Sequence, residues 1–156
     1  MILQELLCLL NQKVQKLYQD NWNNLAKTRE YIAVVEGRTN SKGHIESYLK
    51  MSKSLQVYSS KNKDGLLAIT DYERITYNDK YSLLRILIST GRRNQIRCHM
   101  SDIGHPILGD TRYKSKTTPL NRLTLHASLL EITNPLNNKV MTFKSNIPKE
   151  FYEITK

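Results

Sequence analysis

Leu10, Val14, Leu17, Asn21/Trp22 and Leu25 recur at steps of three and four, with Gln, Lys, Asn and Asp between them. That period predicts a helix over residues 6–29. Before it, Ile2, Leu3, Leu6, Leu7, Leu9 and Leu10 form a nearly continuous apolar run, which suits a buried strand over 1–10 leading into the helix. Tyr31-Ile-Ala-Val-Val35 is apolar on both alternating faces, as a central strand requires. Turn residues fill 37–43, shorter strands are expected over 45–49 and 55–58, and 59–65 reads as a solvated loop. Residues 66–77 and 81–89 are rich in Ile, Leu, Thr and Tyr around Asn78-Asp79-Lys80, a hairpin pattern. Residues 94–103 then place Ile96, Met100 and Ile103 on one helical face, closed by Gly104 and Pro106. Strands are expected again over 123–132 and 139–144, joined by an Asn/Pro turn. Many hairpin strands with two helices and no internal repeat give an α+β class with a mainly antiparallel sheet.

With 156 residues the chain is one domain's worth, long enough to fold without disulfide staples. Hydrophobic residues at 39% and charged residues at 24% exclude collagen-like, low-complexity and broadly disordered classes. Cys8 and Cys98 form no metal-ligand or redox spacing and read as reduced thiols. No apolar run spans a bilayer, and the first residues carry Glu5 and lack a basic flank, unlike a signal peptide. The expected location is therefore the cytoplasm. Charge changes the picture most: 24 Lys+Arg against 14 Asp+Glu gives +10. A surplus of that size points to a polyanionic partner, nucleic acid first, without choosing among RNA, DNA and an anionic membrane.

The chemistry concentrates in Ser89 to Asp110, STGRRNQIRCHMSDIGHPILGD. A strand ends, Gly91 turns the chain, and a helix starts among Arg92, Arg93 and Arg97. Amides at a helix start attract anions, and guanidinium forks bind phosphate or carboxylate. Arg93 and Arg97 at i, i+4 would share a face and repel unless an anion lies between them. A solvated basic face is the competing reading, and the pattern leaves both open. His99 and His105 lack a third ligand at a metal spacing and read as hydrogen-bonded structural histidines. His126, in an apolar strand, is expected to bond a backbone carbonyl. Tyr31 reads by itself as a core tyrosine.

Several motifs occur together in order: Thr90-Gly-Arg-Arg-Asn-Gln-Ile-Arg-Cys-His99, Ile103-Gly-His-Pro-Ile-Leu-Gly-Asp110 with Tyr113, and Arg122-Leu-Thr-Leu-His-Ala127. With Arg29-Glu-Tyr-Ile-Ala-Val-Val-Glu-Gly37 and residues 65–72, they resemble the RluA-type pseudouridine synthases over nearly the whole chain. The resemblance implies a pseudouridine synthase-like core: a long, mixed, mainly antiparallel sheet with flanking helices, and a cleft for a flipped uridine. It implies isomerisation of uridine to pseudouridine in ribosomal or transfer RNA by a monomer, with no cofactor, metal or membrane. The family's tyrosine maps onto Tyr31 and its basic residue onto Arg97. Substrate contacts map onto Arg92, Arg93, Asn94 and Gln95, and the apolar residue under the uracil onto Leu123 or Leu125.

The family's nucleophile is an aspartate in an HRLD-x-x-[TS]SG loop, and residues 1–156 contain no HRLD. Aligning Leu6 to Asn11 with the strand after that loop puts the aspartate immediately before Met1. The expectation is a single N-terminally truncated catalytic domain, inactive alone. A truncated chain, a degenerate RNA-binding remnant and a substitute acid are the three explanations. Glu5 and Asp110 do not match the nucleophile's position.

Overall fold

The computed structural model of the chain describes residues 12–156, so the strand expected over 1–10, and Glu5 with it, lies outside the described residues. Helix α1 (Gln12–Leu25) leads directly into strand β1 (Ala26–Glu36). The strands β2 (Lys42–Met51), β3 (Val57–Ser60), β4 (Leu66–Tyr77) and β5 (Tyr81–Ile88) follow, then helix α2 (Gln95–Asp102). A single 3₁₀ turn (Thr111–Tyr113), strands β6 (Leu125–Thr133) and β7 (Val140–Lys144), and the short helix α3 (Lys149–Glu153) complete the chain.

The seven strands form one sheet in the order β3-β2-β4-β5-β1-β6-β7, and every pairing between them is antiparallel. β1 lies between β5 and β6, and Ile32, Ala33, Val34 and Val35 are all buried, as an apolar run with no polar face demands. The pleat sends Ala33 and Val35 to one side, where Tyr72, Leu84 and Ile86 meet Ile96 and Met100 of α2. Ile32, Val34 and Leu83 point to the other side, against Leu108 and Phe151 of α3. Tyr18 of α1 packs on Ala26, Leu130 and Ile132.

The first helix ends at Leu25, four residues short of the expected end. From Ala26 onward the chain pairs with β6, Ala26 opposite Ile132 and Arg29 opposite Leu130, so the ladder takes residues that a helical period could also have claimed. α3 escapes sequence analysis because five residues show no period; Pro148 just before it is the local signal. None of the described helices is long and apolar enough to cross a membrane.

Candidate active site

The turn between β5 and α2 is tied down by one glutamine. Gln95 is 2% exposed. Its Oε1 accepts from the Thr90 hydroxyl at 2.8 Å and the Arg92 amide at 3.0 Å. Its Nε2 donates to the Ile69 carbonyl at 2.8 Å and to Thr70 Oγ1 at 2.9 Å. All four hydrogen-bonding positions of the amide are therefore taken by the protein. Thr70 passes the network on to His99, whose Nδ1 lies 2.9 Å from Thr70 Oγ1 and whose Nε2 lies 2.9 Å from Ser47 Oγ. Because Thr70 accepts from Gln95, its own proton is free for His99 Nδ1, which leaves the imidazole proton on Nε2 facing Ser47. Burial lowers the pKa of His99 and keeps it neutral.

Helix α2 starts one residue later than expected. Asn94 caps it in the left-handed region at φ 51°, which asparagine tolerates. Arg93 is thus outside the helix and does not share a face with Arg97. Arg93 is exposed and reaches Met51 Sδ at 3.8 Å. Arg97 turns inward: Nε and Nη2 each lie 2.7 Å from an oxygen of Asp110, and Nη1 donates to Asn94 Oδ1 at 3.1 Å. Asp110 raises the pKa of the guanidinium, which stays charged. The side chain of Asp110 is 1% exposed. Gly109 sets it there: at φ 78°, with the Arg122 carbonyl 2.2 Å from where a Cβ would be, no other residue fits the approach of this loop to the start of β6. Glu36 anchors the same loop from the end of β1, its Oε1 accepting from the amides of Lys116 at 2.6 Å and Thr117 at 3.0 Å. Sequence reasoning missed both anchors; the one available signal was the Gly109-Asp110 pair in its motif.

A cleft of about 190 Å³ opens between β1, β6 and the start of α2. Tyr31, Ile88, Arg92, Asn94, Gln95, Ile96, Arg97 and Leu125 line it. Tyr31 and Arg97, 66 positions apart in sequence, thus share one wall-to-wall space. Burial raises the Tyr31 pKa, so its phenol keeps its proton at neutral pH. Leu125 is the leucine that lines the cleft; Leu123 packs on the core beneath α2. Arg93 does not line it. The expected carbonyl bond of His126 is not made: its Nε2 is buried without a partner. In β6 it stands opposite Ile32, on the sheet face away from Tyr31. His105 Nδ1 does bond a carbonyl, that of Glu36, at 2.7 Å. Among the described residues no cluster of His, Cys, Asp and Glu is arranged to hold a metal.

A family profile for RNA pseudouridylate synthases matches residues 9–102, more than half of the chain. The chain belongs to the RNA pseudouridylate synthase family. It is 30% identical to tRNA pseudouridine synthase C of Haemophilus ducreyi over 94% of its own length and 68% of that protein's. It is 29% identical to ribosomal large subunit pseudouridine synthase D of Haemophilus influenzae over 81% of its length and 44% of that protein's. The chain spans about half the length of several curated relatives that it matches. In structure it is similar to human RNA Pseudouridylate Synthase Domain Containing 1, with a TM-score of 0.72 and 21% identity over 88% of this chain and 61% of that one. That likeness shows the α+β fold.

Proposed function

We propose that this pseudouridylate synthase chain carries the uridine-holding part of a catalytic domain that isomerises uridine to pseudouridine in ribosomal or transfer RNA. The observation that carries the reading is the meeting of Tyr31, Arg97 and Leu125 in one small cleft. The reaction breaks the N1–C1′ bond, turns the uracil and joins C5 to C1′; the proton leaves C5 and N1 gains one, so the product is an isomer. A cleft of about 190 Å³ suits one flipped base rather than an extended ligand. In this reading Leu125 packs against the uracil and the neutral Tyr31 phenol lies near C5, where a proton must be managed. Arg97 holds a carboxylate at C1′ ionised, with Asp110 fixing the guanidinium's orientation. Arg92 and Asn94 contact the substrate, Arg93 meets RNA outside the cleft, and Gln95 shapes the turn rather than touching RNA.

In this reading the carboxylate at C1′ belongs to an HRLD-type loop, a motif that residues 1–156 do not contain. The reading also takes the protein as a cytoplasmic monomer working without cofactor or metal. Nucleoside analysis of transfer and ribosomal RNA tests it. RNA incubated with a longer chain bearing an upstream aspartate segment should gain pseudouridine, and RNA incubated with the Arg97→Met form of that chain should not. Equal pseudouridine from both would remove Arg97 from the reaction. A folded, RNA-binding longer chain that makes none would favour a binding remnant of the same fold.

A further inference from the structure

Arg97 has a carboxylate; two other arginines beside the cleft have none. Arg29 stands two residues before Tyr31 in β1 and is 7% exposed. Its Nη2 donates to the Ser89 carbonyl at 2.7 Å, its Nη1 reaches Asn23 Oδ1 only at 3.4 Å, and its Nε is buried without a partner. Arg92 donates its Nε to the Leu67 carbonyl at 2.9 Å. Neither arginine takes part in an ion pair among the described residues. Burial lowers the pKa of Arg29; Tyr31 offsets part of that, and the charge of Arg92 lowers it further.

A buried guanidinium that meets a neighbouring cation instead of an anion is costly, and a bound anion relieves both terms. Open space lies against each guanidinium: Arg29 lines one cavity, and Arg92 lines the Tyr31 cleft next to it. A cavity of about 610 Å³, lined by Asn23, Thr28, Arg29 and Ser89 among others, adjoins the Tyr31 cleft through Ile88. Gly91 keeps that corner open, since a Cβ there would lie 2.6 Å from Arg29 Nη1. A single carboxylate saturates one guanidinium fork, as Asp110 does for Arg97. A phosphate presents oxygens in several directions and can bridge two guanidinia.

We propose that Arg29 and Arg92 form a phosphate subsite beside the uridine cleft, which takes one backbone phosphate of the bound RNA. The RNA source rests on the reading given above; the phosphate chemistry does not. Two probes separate them. Inorganic phosphate is titrated into the chain while the arginine Nε–H resonances are followed, and a uridine-containing single-stranded RNA pentamer is titrated at several salt concentrations. Phosphate should shift the Arg29 and Arg92 signals and leave that of Arg93 in place. Arg29→Gln should lower the slope of log K against log salt by about 0.7 unit, the share of one phosphate on a single strand, and Lys61→Gln by much less. If Arg29→Gln does not fold, Arg92→Gln and Gly91→Ala carry the comparison, Gly91→Ala by crowding the guanidinium. Phosphate shifts without any RNA binding would support the subsite and remove RNA as its source. RNA binding with unchanged slopes in all the folded variants would overturn the subsite and leave the RNA reading standing. No response to either probe would overturn both.

Discussion

Arg97 and Asp110 meet as two forks, each guanidinium–carboxylate contact 2.7 Å long, with the carboxylate 1% exposed. The pair joins α2 to the loop after it, and among the described residues Arg97 is the only arginine lining the cleft that has a carboxylate partner. Removing the arginine leaves a buried carboxylate alone. Arg97→Ala should therefore destabilise the chain by about 3 kcal/mol, the low end for breaking a buried pair because Arg97 is partly solvated. Arg97→Lys should recover part of the loss, since it restores charge without the fork. Urea unfolding of the three chains checks both.

Gln95 holds the turn through four bonds, so its replacement should be felt at the turn more than in the core. Gln95→Leu strips partners from the Thr90 hydroxyl, the Arg92 amide and the Ile69 carbonyl, at a cost of about 2 kcal/mol or more. Hydrogen exchange should show the Arg92 amide losing protection while β1 and β5 keep theirs.

The neutral His99 makes stability depend on pH. The unfolded imidazole takes a proton near its ordinary value of 6.5, and the buried one only at lower pH. Between the two the unfolded chain holds more protons, so the stability that comes from neutral His99 is present above about pH 6.5 and is lost as the pH falls below it. Urea midpoints at pH 7.5 and 5.5 should drop more in the native chain than in His99→Gln.

Burial, and then Asp102, push the Cys98 thiol up to about 12. Little thiolate exists at pH 8. Peptide-resolved alkylation should leave Cys98 unmodified in the folded chain and modify it fully in urea.

Much of this arrangement was legible beforehand, for physical reasons that differ by element. β4 matches its expected bounds because residues 66–77 are rich in Leu, Ile, Thr and Tyr and polar turns flank them. Tyr31, Arg97 and Leu125 were named from motifs, and the cleft that joins them arises from the β1–β6 register, which no local pattern encodes. The partner of Arg97 is not legible in sequence: nothing there selects Asp110 over the nearer Asp102, or over Glu30 beside Tyr31. Asp102 instead bonds Ser59 at 2.5 Å, and Glu30, on the opposite sheet face from Tyr31, accepts from Ser128 at 2.7 Å. Arg29 gave no signal because a buried cation without a counter-ion looks, in sequence, like any surface arginine.

If uridine is isomerised in the Tyr31–Arg97 cleft, loss of the C5 hydrogen reports on it directly. Tritium released from RNA labelled at uridine C5 should be absent with residues 1–156 alone. It should appear with a longer chain carrying the upstream aspartate, and fall by at least about a hundredfold, the scale of a lost proton-transfer group, in the Tyr31→Phe form of that longer chain. Release by residues 1–156 alone, or release by the longer chain that is unchanged by Tyr31→Phe, would contradict the account.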